Sequence, residues 1–409
     1  MSQQLSRRDL FAASRFALLG LAGSALAAKN PVSAAKASDL PANPLTSMAK
    51  ELRLLSAYPL NGEALVHQLD HDITPTKHLF VRNNGLLPEL ARSSAGSAWS
   101  LAIDGLVERP LSLSLQDLKS KFKHYTYQLV LECGGNGRAG FLPQISGLQF
   151  TYGAVGCPQW TGVRLKDVLT AAGVKDKAIY LAYYGHDIHP SRDATKVVIS
   201  RGFPLRKAWE DTTLLAFALN GKPLPPEHGY PLRLICPGFP GSASGKWLKR
   251  LWIRDVVHDG EKMLGSDYRV PRNPVAPGTI LGESELAIIE EMPIKSLITA
   301  PLSGSSASLR SKILNLRGFA WCGKGAVRQV DVTYDYGQSW QQATLHPPAN
   351  PFAWQRWELK LKVPRPGYYE IFSRASDLDG IMQPMVAAGW NQKGYLNNAM
   401  PRIALSLTA

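Results

Sequence analysis

The stretch with the clearest chemical potential is residues 131–138, which read Leu-Glu-Cys-Gly-Gly-Asn-Gly-Arg. Residues 125–130 alternate and are rich in aromatic and β-branched side chains, which is typical of a strand. The glycines that follow allow a sharp turn and a close approach to a ligand. Cys133 is therefore expected at a strand end, as a nucleophile or a soft metal ligand. The alternative is a small apolar residue in a buried strand, the usual position of free cysteine.

This stretch resembles the Cys-x-Gly-Asn signature of the sulfite oxidase family of molybdenum enzymes. Five further segments are similar to that family in the same order, and together they cover most of the chain after about residue 45. The resemblance implies that the Cys133 thiolate binds molybdenum, which is otherwise held by the dithiolene of molybdopterin.

Three residues are identified by this resemblance as the substrate-binding set. Residues 78–85 are similar to the family's Phe-x-Arg-Asn-His-Gly segment, which implies that Arg82 binds a substrate oxyanion by a bidentate contact. Arg138 corresponds to an arginine that flanks the anion pocket, and Tyr268 to the active-site tyrosine. Asn84 stands where the family has histidine, which removes one possible contact to the pterin.

The resemblance also implies a set of residues that hold the cofactor. Phe80 and Asn83 would meet the pterin, whereas His228 and Arg233, in a segment similar to the family's His-Gly-x-Pro-x-Arg, would hold the phosphate. A cation and a hydrogen-bond donor five residues apart, fixed by Gly and Pro, form a sensible phosphate clamp. The next loop would add Ser244 and Lys246.

That loop is superficially similar to a P-loop. A P-loop requires Ser or Thr after its lysine, and Trp247 stands there instead. Nucleotide binding is therefore not expected.

Four residues are left with open roles. Cys157 is either a second metal ligand or structural, and the structural role is favoured because the family uses one protein cysteine. His186 and His189 have a spacing that could bind a metal in a loop, but no third ligand is evident nearby, which favours surface or supporting roles. Lys393 is near the position where related enzymes place a substrate-pocket arginine, and the sequence leaves open whether it reaches the cavity.

The expected fold is an α+β sulfite-oxidase-type molybdopterin domain, residues 46–288, followed by an all-β immunoglobulin-like sandwich, residues 289–409. In the first domain we expect a strand over 101–110, a helix that Ser114 caps, a helix over 165–172 that ends at Gly173, and a helix over 214–221. In the second domain the chain predicts short strands separated by turns, at 296–301, 314–321, 327–334, 340–345, 357–363 and 368–375.

The first 45 residues indicate export. Arg7 and Arg8 form a twin-arginine pattern, a short apolar run follows, and Ala25 and Ala27 offer a cleavage site, so residues 1–27 are predicted to be a signal peptide. Residues 28–45 are expected to be a flexible lead-in. The apolar run is too short to be an anchor, so no membrane span is expected in the mature chain. The twin-arginine pathway exports folded proteins, which suits a cofactor inserted before export to the periplasm.

The resemblance implies a periplasmic sulfite dehydrogenase that oxidises sulfite to sulfate and forms a homodimer. No C-x-x-C-H segment is present, so no haem is expected in this chain, and a separate c-type cytochrome would accept the electrons. The formal charge of +14 favours anionic ligands and an acidic partner. Nucleic acid is not expected, because no run of Lys and Arg is interleaved with aromatic residues.

Three alternatives remain. Within the family, the chain could be a sulfur-compound dehydrogenase subunit or a methionine-sulfoxide reductase, although the latter usually lacks the C-terminal sandwich. From another class, it could be a secreted anion-binding protein without turnover.

Overall fold

The computed structural model describes residues 44–89, 99–309 and 312–409. The predicted signal peptide, residues 1–27, and the predicted lead-in up to residue 43 lie outside the described residues. Within the described ranges, no helix combines the length and the apolar character needed to cross a membrane.

Four short α-helices are present in the described residues: α1 Pro44–Glu51, α2 Leu115–Lys121, α3 Leu165–Ala172 and α4 Leu205–Ala208. Two of them follow from the sequence signals at their ends. The Ser114 hydroxyl accepts a hydrogen bond from the Asp117 amide and so caps α2. Gly173, with φ of 69°, ends α3 in the left-handed conformation that glycine adopts at little cost.

Strands are the main regular elements of the described residues. Those of the N-terminal half are β1 Arg53–Ala57, β2 Leu60–Glu63, β3 Ser100–Gly105, β4 Leu111–Ser114, β5 His124–Gln128, β6 Leu131–Glu132, β7 Val155–Gly156, β8 Gln159–Arg164, β9 Tyr180–Gly185, β10 Gly202–Pro204, β11 Leu214–Leu219, β12 Lys222–Pro223, β13 Arg233–Ile235, β14 Leu248–Arg254, β15 Arg269–Pro271 and β16 Leu286–Ile288.

Two main sheets organise the N-terminal half. One has the order β10-β9-β14-β3-β4, in which β14 and β3 are parallel, and the other has the order β12-β11-β8-β5 with β13 on β11. A single apolar core joins them, with α2 and α3 packed into it. The segments that follow β2, β6 and β13 carry most of the predicted site residues.

One predicted element of this half is wrong. Residues 214–221 were expected to be a helix, but residues 214–219 form strand β11 between β8 and β13. The run is apolar without a polar face, so it suits a strand covered on both sides as well as a buried helix turn. Asn220 and Gly221 have φ of 48° and 75° and form a tight hairpin turn to β12, rather than a helix end.

The C-terminal half is a sandwich of two β-sheets, as predicted. Its strands are β17 Lys295–Ala300, β18 Ser306–Ser308, β19 Ile313–Trp321, β20 Val327–Thr333, β21 Gln341–Gln342, β22 Thr344–Leu345, β23 Gln355–Lys362, β24 Gly367–Asp377 and β25 Arg402–Thr408. The sheets have the orders β17-β19-β23-β22 and β18-β25-β24-β20-β21. Their inner faces meet in a core around the fully buried Trp357.

The two halves meet through an apolar cluster and a buried polar contact. Glu132, at the end of β6, accepts hydrogen bonds from Lys295 Nζ at 2.6 Å and from Trp321 Nε1 at 2.8 Å. Glu132 and Lys295 are 2% and 5% exposed. Because Cys133 is the next residue, the C-terminal half directly fixes the strand that ends at the thiol.

The Lys295→Met variant tests this contact. The substitution leaves the Glu132 carboxylate buried without its cation, so the free energy of unfolding should fall by about 3–5 kcal/mol. Urea unfolding followed by tryptophan fluorescence measures the loss. The matched control is Lys324→Met, which removes an exposed ion pair with Asp379 and should change stability little. Equal effects of the two variants would contradict the interpretation.

Candidate active site

Nine of the ten predicted site residues line one cavity. The nine residues are Phe80, Arg82, Asn83, Cys133, His228, Arg233, Ser244, Lys246 and Tyr268. Segments that are distant in the sequence therefore converge as the resemblance implied.

Cys133 is held at the cavity by its backbone. Its amide donates to the Ala154 carbonyl at 2.9 Å, and its carbonyl accepts from the Asn136 amide at 2.9 Å. The thiol is half-buried and faces the cavity, whereas the other three cysteines are buried, and all four are free. Burial raises the pKa of Cys157 and of Cys236 to about 12, so both are poor ligands or nucleophiles. Cys157 is thus structural, and it accepts a weak hydrogen bond from the Trp354 amide.

Arg82 and its two neighbours form one wall of the cavity. The Arg82 guanidinium donates to the Asn83 carbonyl and, at 2.8 Å, to Asn84 Oδ1. Asn84, which replaces the family's histidine, therefore orients the arginine predicted to bind the substrate. Asn83 in turn accepts a hydrogen bond from Lys246 Nζ, which connects this wall to the loop that carries Lys246.

A second wall of the cavity carries buried positive charge. Arg233 lies on β13 and donates to the carbonyls of Ser244 and His228, at 3.3 and 3.2 Å. Burial lowers the pKa of Arg233 to about 9, and burial beside Arg233 lowers the pKa of Lys246 and of His228 well below their ordinary values. Among the described residues that line the cavity, Asp187 is the one carboxylate, and burial raises its pKa to about 6.

This wall fits an anionic group. Lowered pKa values of this kind mean that the charged forms of Arg233 and Lys246 are under-solvated and lack a counterion. A phosphate placed against Arg233, Lys246, the His228 ring and the Ser244 hydroxyl would supply that charge and accept their hydrogen bonds. The residues present therefore fit the phosphate of molybdopterin, with the Cys133 thiol in the same cavity as a soft ligand for molybdenum.

Tyr268 lines the cavity near Cys133 and is 7% exposed. Its backbone has φ of 51°, an uncommon conformation for a bulky residue, and its ring stacks on the Tyr395 ring with centroids 5.2 Å apart. On the Tyr268 ring lies the guanidinium of Arg201, with Cζ 4.6 Å from the centroid. The sequence analysis did not identify Arg201, because it lies in no motif.

Arg138 is the predicted site residue that the structure does not place in the cavity lining. Its Nε donates to the Lys393 carbonyl at 2.7 Å and its Nη1 to the Leu148 carbonyl at 2.9 Å, so the guanidinium supports the cysteine loop from behind. Gly135 makes this position possible, because a Cβ there would lie 2.5 Å from Arg138 Nη2. Arg138 makes supporting contacts in this structure, and its place flanking the anion pocket stays a prediction.

Lys393 does not reach the cavity either. Its Nζ forms an ion pair with Asp267 at 3.1 Å, and the side chain is 42% exposed. His186 and His189 also lack a metal-binding arrangement, since no group of three or more metal-ligating His, Cys, Asp or Glu side chains is found in the described residues.

Comparisons with known proteins agree with this geometry. Residues 88–262 match the family model "Oxidoreductase molybdopterin binding domain", and residues 286–408 match "Mo-co oxidoreductase dimerisation domain". The chain is 32% identical to sulfite oxidase of Gallus gallus over 363 residues, which cover 86% of this chain and 77% of that enzyme. It is 31% identical to an inducible NADH nitrate reductase of Glycine max, over 87% of this chain but 42% of the reductase.

A solved structure is similar over almost the whole chain. The sulfane dehydrogenase SoxCD from Paracoccus pantotrophus matches with a TM-score of 0.71 and 28% identity, over 92% of this chain and 93% of that one. Compared with the mammalian sulfite oxidases that it matches, the chain spans 65% of their length. The cavity, the two family models and the relatives lead to one conclusion: the chain belongs to the sulfite oxidase family of molybdenum oxidoreductases, and its cofactor is molybdenum-molybdopterin.

Proposed function

We propose that the chain is a periplasmic sulfite dehydrogenase that oxidises sulfite to sulfate and passes the electrons to a separate c-type cytochrome. The observation that carries the proposal is the convergence of Cys133, Arg82 and Tyr268 on one cavity that also has a phosphate-compatible wall. A small dianion beside a soft metal ligand and a fixed guanidinium is the substrate that this arrangement suits best.

Each group of cavity residues has a separate role in the proposed reaction. Arg233, Lys246, His228 and Ser244 would hold the phosphate and so fix the position of the cofactor, and Cys133 would ligate its metal. Arg82, oriented by Asn84, would bind the sulfite oxygens. The Tyr268 hydroxyl makes no hydrogen bond within the described part of the chain, so it is available to donate to a substrate oxygen.

The overall reaction converts sulfite and water into sulfate, two protons and two electrons. When bound, molybdenum-molybdopterin supplies the two-electron redox chemistry and the oxygen-atom transfer. The protein's contribution is to bind the anion, orient it and hold a hydrogen bond at the reacting oxygen. A c-type cytochrome would then accept the electrons one at a time.

Export and assembly complete the proposal. The twin-arginine pattern of residues 1–27 supports a periplasmic location, because that pathway exports proteins folded with their cofactor. The dimerisation-domain match supports a homodimer. Exposed apolar side chains at Leu378, Ile381 and Val386, beside β24, are the kind of surface that a second copy would cover.

One observation favours a second candidate. The likeness to SoxCD extends over nearly the whole of both chains, so the substrate could be a sulfane sulfur rather than free sulfite. In that case the chain would be the molybdenum subunit of a sulfur-compound dehydrogenase.

A substrate comparison tests the proposed function. Loaded protein should oxidise sulfite with ferricyanide faster than it oxidises a thiol-bound sulfane, and it should not reduce methionine sulfoxide or nitrate with reduced viologen at a comparable rate. Arg82→Met should raise the KM for sulfite by about 10- to 100-fold, because a charge-assisted hydrogen bond is lost. Faster oxidation of the sulfane would favour the SoxCD-like function. No turnover of any substrate would favour an anion-binding protein.

Removal of the Cys133 thiol tests the metal assignment. Cys133→Ala should reduce the molybdenum content by at least about tenfold, as measured by elemental analysis of the exported protein. The pterin phosphate should remain bound, because its predicted contacts are with Arg233, Lys246, His228 and Ser244 and not with Cys133. Cys322→Ala, which removes a buried thiol outside the cavity, is the matched control and should retain the metal. A Cys133→Ala protein with full molybdenum would refute the assignment.

The acceptor should dock through charge. Arg192 is exposed on the loop between Asp187 and Ile199, both of which line the cavity. Arg192→Glu should lower kcat/KM for the cytochrome by about two- to fivefold at low ionic strength, and salt should abolish the difference. The control is Lys360→Glu on β23 of the sandwich, which should have no effect. A salt-independent rate with the native acceptor would contradict an electrostatic docking face.

A further inference from the structure

Arg201 is a buried cation that the proposed mechanism does not use. It precedes β10, is 1% exposed, and its carbonyl accepts a hydrogen bond from the Tyr183 amide at 2.9 Å. Its Nη2 makes one long hydrogen bond, 3.4 Å, to the Ile289 carbonyl, whereas Nε and Nη1 are buried without a partner. No carboxylate pairs with it in the described residues. Burying such a charge is costly, so its position calls for a functional explanation.

The Tyr268 ring contacts both the Arg201 guanidinium and the Tyr395 ring. Arg201 Cζ is 4.6 Å from the Tyr268 centroid, the Tyr268 and Tyr395 rings stack at 11°, and Arg138 Cζ is 5.7 Å from the Tyr395 centroid. Each of the two stacked rings therefore has its own guanidinium contact, Arg201 at Tyr268 and Arg138 at Tyr395. Such a cation–aromatic contact is strongest where water is excluded, as it is here.

Two other cations near these rings are engaged elsewhere. Arg138 donates to backbone carbonyls, and Lys393 pairs with Asp267. Among the described residues, Arg201 instead has neither an ion pair nor a full set of hydrogen bonds, so its charge on the Tyr268 ring is uncompensated. In a low-dielectric site, a charge one ring away from the cavity still adds substantially to the attraction of an anion.

We propose that Arg201 is a positioning residue: it clamps the Tyr268 ring against Tyr395 and adds the positive potential that makes the cavity select a doubly charged anion. This inference rests on the proposed function for the identity of the anion. It adds Arg201 to the cations that the sequence motifs identified.

The test uses the loaded enzyme and three variants, Arg201→Met, Arg201→Lys and, as a control, Arg206→Met. Arg206 is exposed in the same part of the chain and pairs with Glu290. Arg201→Met should weaken sulfate binding, measured by isothermal titration calorimetry, roughly tenfold and raise the KM for sulfite by a similar factor, with a smaller change in kcat. Arg201→Lys should restore part of the sulfate affinity, because it keeps the charge. Arg206→Met should change neither quantity.

Two further measurements separate this role from a structural one. Because the Arg201 charge is uncompensated, Arg201→Met should not lower the urea midpoint of unfolding, whereas a purely structural residue would. In the Tyr268→Phe background, which removes the hydroxyl, Arg201→Met should change kcat/KM less than it does in the wild type.

Unchanged sulfate affinity in Arg201→Met, or a wild-type enzyme that does not bind sulfate, would overturn the inference. The sulfate measurement needs no turnover, so it remains informative if sulfite proves not to be the substrate. Sulfite turnover with no effect of Arg201→Met would refute the role of Arg201 and leave the proposed function intact.

Discussion

The buried carboxylate of Glu132 is the contact on which the geometry of the cavity depends. It is adjacent in sequence to Cys133, and it accepts hydrogen bonds from Lys295 and Trp321 of the sandwich and from Asn136 of the cysteine loop. Asn136 also accepts a hydrogen bond from the Ala154 amide, so hydrogen bonds to both Glu132 and Ala154 hold the cysteine loop in place. A thiol fixed in this way cannot relax away from a metal, which is the preorganisation that a metal site requires. The C-terminal half therefore stabilises the site, in addition to its match to a dimerisation domain.

Unlike the Glu132 carboxylate, which is paired with Lys295, the charged groups that line the cavity are not balanced by partners of opposite charge. Arg233 and Lys246 are buried with the acid Asp187 nearby, whose pKa burial raises to about 6, so one carboxylate faces two buried cations. Without an anion, the wall costs folding free energy, and the binding of a phosphate would recover it. Stability of the fold and occupancy by the cofactor are thus linked, which suits a protein whose twin-arginine pattern predicts export in the folded state.

The sequence was sufficient for short motifs that carry their own conformation. The cysteine loop, the capped α2 and the Gly173 end of α3 could be predicted because each depends on residues within one turn of the chain. Residues 214–219 could not, since an apolar run of six is compatible with a strand or a helix until its neighbours are known. The positions of the Arg138 and Lys393 side-chain charges could not be predicted for a similar reason. A motif locates the backbone of a residue, whereas the tertiary contacts of a long side chain determine where its charge lies.

Arg201, which lies in no motif, supplies positive charge next to Tyr268. The Tyr268 ring contacts both the Arg201 guanidinium and the Tyr395 ring. A guanidinium suits this position better than an ammonium, because its planar group can stack on the ring while losing little hydration. Burying a charge that has neither a carboxylate nor a full set of hydrogen bonds lowers the stability of the fold. Because Tyr268 lines the same cavity as Cys133, the field of Arg201 acts on the cavity in which an anion would bind.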